Sequence, residues 1–487
     1  MSNKPILPLI IRGQVITDNL VEMGGRGGDL SFLTPDVNMY LDKLALTNPA
    51  RLAGLYTLTF NDILDYCAEL GGHLDFSRNK YLQEACELSY HTAPVTPPIV
   101  KAVYMGLGRM LDRDTIIEAV DKSVGIKYLE GWVKETLLDG TELEVRCFGA
   151  RALHIVAGNA AGLALLSILR NMVLRSDAII KAPSNDPFTA AAIARTMIDM
   201  APDHPLTKHV SVAYWKGGDT AFEERLYRPE NIEKIVAWGG FSSLKHVTRY
   251  IQPGLELISL DPKRSTSILG AGTFESEATM RDAAQRLATD IGTQNQKGCV
   301  CARTIYVQSG TDGEGLARIN LFGRYVYDAM LALPNSISTK PRFIEPELKS
   351  NVEALRLDDD WYKVIGGEEG EGAIIVSQLP DPVSFAAALD DRIANLVPVD
   401  DLSQVLDAVD SYTQTVGIYP ESLKDELKNT LPLYGAQRIV SLGYAAALKW
   451  AAPQDAIEPL RRMGKWISNQ ISDPKIVPGL WTRPSID

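Results

Sequence analysis

Two cysteines crowd one short run, Gln294-Asn295-Gln296-Lys297-Gly298-Cys299-Val300-Cys301-Ala302. A cysteine attacks carbon only as its thiolate, so its reactivity depends on its surroundings. Here a glycine adjoins Cys299, and the run lies between a predicted helix over 276–291 and a predicted strand over 304–308. A tight turn in that place can present a sulfur to a cleft. The remaining cysteines, Cys67, Cys86 and Cys147, are scattered, and an odd, sparse set is unlike a secreted disulfide framework. No histidine falls at ligand spacing from another, so no metal site is expected, and no G-x-S-x-G elbow offers a serine nucleophile.

Three other turns carry residues able to serve such a thiol. In His154-Ile155-Val156-Ala157-Gly158-Asn159, the asparagine either caps the following helix or donates its amide to a developing oxyanion. Lys181 ends a predicted strand and precedes Ala182-Pro183-Ser184-Asn185-Asp186-Pro187. A lysine there reads as a phosphate or ribose contact, or as a plain surface lysine beside a helix cap. Trp238-Gly239-Gly240-Phe241-Ser242-Ser243 is either an ordinary tight turn or a close approach of backbone and helix N-terminus to an anion. No G-x-G-x-x-G follows a predicted strand, and Gly24-Gly25-Arg26-Gly27-Gly28 has the spacing of a flexible loop.

The elements that must hold these turns alternate. Strands are expected at 153–157, 178–181, 209–215, 232–238 and 256–260, with helices at 160–174, 187–200 and 242–251 between them. Such alternation implies a parallel, helix-covered sheet, hence an α/β fold. Residues from 36 to 130 read as mostly helical, and 131–145 as a β-hairpin turning at Asp139-Gly140. A second α/β block begins near 270, with a helix over 314–333. Gly366–Gly372 reads as a solvated acidic loop and 455–469 as a helix.

With 487 residues the chain needs more than one core. A formal charge of −12 argues against nucleic acid as a partner. The N-terminus lacks a signal-peptide pattern, and the most apolar stretch, 160–169, is too short to span a bilayer. A cytoplasmic protein without a membrane span is expected.

An Asn turn, a strand-end Lys, a Gly-Gly turn and then a Cys, in that order, resemble the aldehyde dehydrogenase superfamily. More closely, Asn295-Gln296-Lys297-Gly298-Cys299 is similar to the Asn-Gln-x-x-Cys motif of the LuxC-type long-chain acyl-CoA reductases. The resemblance covers about 151–307, through Gly158-Asn159, Ile180-Lys181, Asn185-Asp186-Pro187, Ala237-Trp238-Gly239-Gly240 and Asp261-Pro262-Lys263-Arg264-Ser265. It returns at Gln437-Arg438-Ile439 and over 462–467.

This resemblance implies an aldehyde-dehydrogenase-like fold. A Rossmann-type cofactor domain would comprise 1–130 and 151–269, a catalytic domain 270–440, and 131–150 an oligomerisation hairpin. The C-terminal segment 441–487 would return to the cofactor domain or to a subunit contact, making a homo-oligomer. It also implies Cys299 as nucleophile, with Cys301 packed beneath the turn, and Asn159 in the oxyanion hole. Lys181 would meet the adenosine ribose, and Gly239, Gly240 and Ser242 the cofactor's pyrophosphate turn.

Two departures narrow the chemistry. Ser259 stands where hydrolytic relatives place a water-activating Glu, which favours a thiol as leaving group over oxidation to an acid; Asp261 is two residues late for that role. Ser184 stands where NAD-preferring relatives place a Glu, which points to NADPH. The expected reaction is reduction of a fatty acyl-CoA or other acyl thioester to the aldehyde, with an acyl-transferring enzyme as a possible partner. Alternatives are a CoA-acylating aldehyde dehydrogenase, an acyl-phosphate reductase using Lys297, Arg303 or Lys263-Arg264, and a non-catalytic acyl-binding scaffold.

Overall fold

A computed structural model describes residues 4–24, 30–159, 161–260 and 263–483. Two seven-stranded sheets organise the chain. In the first, the strands run in the order Glu256–Leu260, Lys234–Trp238, Arg151–Ile155, Asp177–Lys181, Val210–Ala213, Leu9–Ile11 and Gln14–Ile16. The first five are parallel, and the two N-terminal strands close the edge antiparallel. The inner strands are buried along their length, as a sheet covered by helices on both faces requires.

The second sheet runs Tyr362–Gly366, Ala373–Ser377, Ile393–Pro398, Ala302–Val307, Arg264–Leu269, Thr413–Tyr419 and Arg438–Ser441. All its pairs are parallel except the outermost hairpin. Arg264–Leu269, grouped with the first block in the sequence reading, pairs on both sides inside this second sheet. The break between blocks therefore falls ahead of Arg264, not at 270.

The hairpin Val133–Thr136 and Glu142–Phe148 turns at Asp139-Gly140, with Gly140 at φ +84° as such a turn demands. A third strand, Lys465–Ile471, joins it antiparallel. The expected helix over 455–469 is thus corrected: only Pro459–Met463 is helical, and the residues after it are drawn into a ladder by Glu142–Phe148. Strand propensity follows the neighbours available, which local sequence does not reveal.

Two smaller differences have local causes. The helix Thr189–Met200 begins after Pro187, with Phe188 at its N-cap, so the proline precedes the first turn. The acidic loop is not merely solvated: Glu371 accepts from Tyr327 Oη at 2.6 Å and from the backbone of Gly367 and Glu369, closing the hairpin between Tyr362–Gly366 and Ala373–Ser377. Residues 25–28 of the glycine loop, Asp261 and Pro262 lie outside the described residues.

Candidate active site

Cys299 follows a backbone that few sequences tolerate. Gln294, Asn295 and Gln296 take φ of +52°, +51° and +67°, three successive non-glycine residues in the left-handed region. Each such residue costs on the order of 1–3 kcal/mol unless its surroundings hold it. The Asn-Gln pair does the holding. Asn295 Oδ1 accepts the Thr339 N–H at 2.9 Å, while Gln296 Nε2 donates to the Ala302 carbonyl at 2.8 Å and its Oε1 accepts the Ile393 N–H at 3.0 Å. Both side chains are buried. Arg303 ties the same turn from below, donating to the carbonyls of Gln296, Cys301 and Leu389. Ser265 Oγ donates to the Cys299 carbonyl at 2.7 Å.

Of the two sulfurs, Cys301 is buried and donates to the Thr293 carbonyl at 3.2 Å. Burial pushes its thiol up to about 12, so it stays protonated. Cys299 is half-buried. Its thiol is also held above its ordinary value, by burial first and by the Asp455 carboxylate second. The Gln414 side chain and Arg303 work the other way.

Asn159 comes to this turn across the fold. It follows the strand Arg151–Ile155, and its Nδ2 donates to the Lys297 carbonyl at 3.3 Å. Its Oδ1 is buried without a partner among the described residues. The helix Gly162–Val173 starts beyond it with Ala161 as N-cap, so helix capping is not what Asn159 does. The glycine before it has a reason too: a Cβ on Gly158 would stand 2.1 Å from Asn185 Oδ1, so the Gly-Asn and Asn-Asp-Pro segments interlock.

Lys181, Gly239 and Gly240 gather at the carboxyl ends of the parallel strands of the first sheet. Strand order reverses between Arg151–Ile155 and Lys234–Trp238, the position where open α/β sheets receive ligands. Gly240 is the N-cap of the helix Phe241–Thr248 and leaves its first turn without a side-chain cap; Ser242 is exposed in that turn. Lys181 Nζ lies 5.2 Å above the Trp215 ring. Burial brings it down to about 8, against the opposing pull of Glu223. That carboxylate is engaged by Trp215 Nε1, His246 Nε2 and Tyr250 Oη. Ser184 stands half-buried three residues past the lysine.

The sequence reading missed one group. It leaves no carboxylate beside the thiol, yet Asp455 acts on Cys299 and accepts from Gln414 Nε2 at 2.5 Å. It sits at the tip of a turn with Ala456, both left-handed at φ +50° and +60°. Its neighbour Gln454 accepts from Arg170 Nη2 at 3.0 Å. A Pro-Gln-Asp-Ala run is the only local hint, and a helical reading of that stretch conceals it. Ser259 lies half-buried in the edge strand Glu256–Leu260. Three of the four basic groups weighed for a phosphate are committed elsewhere, Arg303 to the carbonyls named above. Lys297 pairs with Asp390 and Asp391 at 2.8 and 2.7 Å, and Lys263 donates to the Ser411 carbonyl.

A half-buried cysteine on a strained turn, set beside a doubly wound sheet, defines an enzyme of the aldehyde dehydrogenase fold. Solved structures agree. Lactaldehyde dehydrogenase from Escherichia coli superposes with a TM-score of 0.71 at 14% identity, over 96% of this chain and 100% of that one. The NADP-dependent glyceraldehyde-3-phosphate dehydrogenase of Bacillus halodurans C-125, complexed with NADP, gives 0.72 at 11% identity, over 96% and 99%. More narrowly, a sequence model described as acyl-CoA reductase (LuxC) matches residues 55–466, and the chain belongs to that family of aldehyde-forming oxidoreductases. It is 26% identical over 479 residues to a long-chain acyl-protein thioester reductase of Vibrio harveyi, spanning 95% of this chain and 93% of the relative. A protein of the same description from Photorhabdus laumondii is 28% identical over 363 residues, 73% and 70% of the two chains.

Proposed function

We propose that the protein reduces a long-chain acyl thioester, carried by CoA or by a partner enzyme, to the fatty aldehyde through an acyl-Cys299 intermediate. The observation that carries this reading is the Cys299 turn, with its half-buried cysteine and the Asn159 amide bonded to the turn at the Lys297 carbonyl.

Cys299 loses its proton and its sulfur attacks the thioester carbonyl; the carrier thiolate leaves and takes up a proton. The carbonyl oxygen becomes negative in both the acylation and the reduction steps. An amide nitrogen has two hydrogens. One on Asn159 is spent on Lys297, and the other, with the Cys299 N–H, is available to that oxygen. Lys181 and Ser184, with the Gly239-Gly240 turn and Ser242, would hold a nicotinamide dinucleotide. These residues fit one: the helix N-terminus is uncapped, and Lys181 lies in a dry setting where an arriving phosphate would stabilise its charge. When bound in reduced form it supplies hydride. Ser184, being neutral, leaves room for the extra phosphate of NADPH. After hydride addition the tetrahedral oxyanion collapses, releasing aldehyde and returning the Cys299 thiolate.

The test is to mix the protein with acyl-CoAs and follow mass adducts and NADPH oxidation. Wild type and Cys301→Ala should form one acyl adduct and consume NADPH. Cys299→Ala should do neither. An adduct or full turnover in Cys299→Ala would sink the reading.

A further inference from the structure

The reaction proposed for Cys299 begins with a proton that must go somewhere. Its thiol is held above its ordinary value, so little thiolate stands ready at neutral pH. Arg303 and Arg438, the cations that bear on the sulfur, are guanidinium donors with no site for a further proton. Two carboxylates share the neighbourhood. Asp290 accepts the N–H groups of Gly443 and Ala445 at 2.7 and 3.0 Å, and its charge bears on the buried Cys301 and on Arg438.

Asp455 is placed differently. Gln414 Nε2 donates to it at 2.5 Å, and the same side chain is a hydrogen-bond partner of the Cys299 sulfur. An amide nitrogen carries two hydrogens, so it can hold a carboxylate on one side and a sulfur on the other. Gln414 Oε1 is buried with no partner among the described residues, as suits an amide turned to face two acceptors. Its strand is tied to the same turn: Thr415 donates its N–H to Ser265 Oγ, which holds the Cys299 carbonyl. The far side of Asp455 is built as well. Asp455 and Ala456 form the left-handed tip of a turn closed by paired hydrogen bonds between Gln454 and Ile457. Gln454 accepts from Arg170 Nη2 at 3.0 Å, and the Arg170 charge bears on Asp455. Arg170 belongs to the helix Gly162–Val173, which starts just after Asn159, so one helix serves both the oxyanion donor and the carboxylate.

We propose that Asp455 carries the proton of the acylation step: its carboxylate takes the Cys299 proton, directly or through one water, as the new sulfur–carbon bond forms, and passes it to the carrier sulfur as the old carbon–sulfur bond breaks. The step balances, since one bond forms, one breaks, and one proton moves from sulfur to sulfur. Between turnovers the same carboxylate keeps Cys299 a thiol, the form less open to oxidation. The inference rests on the reductase reading and adds the group that moves its first proton.

The experiment follows the acyl adduct on Cys299 from tetradecanoyl-CoA without NADPH, by rapid quench and mass spectrometry, beside alkylation by iodoacetamide. Asparagine tolerates positive φ and its carbonyl can still accept from Gln414, so Asp455→Asn keeps the turn. Acylation at pH 7 should slow at least about tenfold. Alkylation should speed up, because iodide leaves without a proton and the thiolate is then easier to form. The acylation rate of the variant should also climb about tenfold per pH unit between roughly pH 6 and 8, since the thiolate must now form in advance, while the wild-type rate stays nearly level. Acylation as fast as in wild type or faster, or equal slowing towards both reagents, overturns the inference. Failure of wild type to form an acyl adduct with any thioester overturns the reductase reading itself.

Discussion

At the residue scale, Cys299 sits among opposing charges. Asp455 disfavours its thiolate; Arg303 and the Gln414 amide favour it, and Arg438 also feels its charge. Because a nearby anion raises the pKa of an acid, removing it must lower that pKa. Asp455→Asn should therefore shift the alkylation of Cys299 by iodoacetamide to lower pH and speed it at neutral pH; an unmoved profile would mean that Asp455 does not act on the sulfur. Lys181 allows a separate test of the cofactor. A charged hydrogen bond contributes about 1.5–3 kcal/mol. Lys181→Met should thus raise the KM for NADPH by about 10- to 100-fold and that for NADH by less. Equal effects on both would remove the 2′-phosphate contact.

At the scale of elements, the motif Asn295-Gln296 is a brace rather than a reagent. Neither side chain donates to or accepts from the sulfur; both clamp a left-handed backbone between the helix Glu277–Gly292 and the strand Ala302–Val307. Asn also tolerates positive φ better than most residues. Asn295→Ala loses the Thr339 bond and places an ill-suited residue at φ +51°, which should cost about 1–3 kcal/mol in denaturant unfolding. Turnover should fall with it, since the nucleophile loses its fixed position. A variant of wild-type stability and turnover would show that the brace is unnecessary.

For the whole molecule, the three-stranded sheet of Lys465–Ile471, Glu142–Phe148 and Val133–Thr136 is separate from both main sheets, with its two outer strands unpaired on one side among the described residues. Exposed Ile467 and Ile471 lie on its outer strand, with Leu138 at the hairpin turn and Trp481 in the tail. Open edges with apolar side chains are surfaces that proteins normally cover. A second copy of the chain added at one of these edges would cover those side chains. The double substitution Ile467→Asp and Ile471→Asp should lower the assembly state in analytical ultracentrifugation while leaving the fold intact by circular dichroism. An unchanged sedimentation coefficient would place the contact elsewhere.

The cysteine turn, the Asn159 turn, the Lys181 strand end and the Gly239-Gly240 turn were all readable from the chain, because each is a local event. A glycine, a cap or a strand end leaves its mark within a few residues, and the order of such marks points to a fold. The sequence also separated Cys299 from Cys301 by motif spacing; in the fold Cys301 is buried and Cys299 half-buried. Tertiary structure alone decided what the local pattern could not carry. Lys465–Ile471 is a strand only because Glu142–Phe148 offers it a ladder, and Lys297 and Arg303 are structural only because Asp390, Asp391 and backbone carbonyls lie opposite them. Asp455 reaches Cys299 from a turn that periodicity reads as helix. Such pairings are set by packing between distant segments, whose contact energies local sequence does not encode.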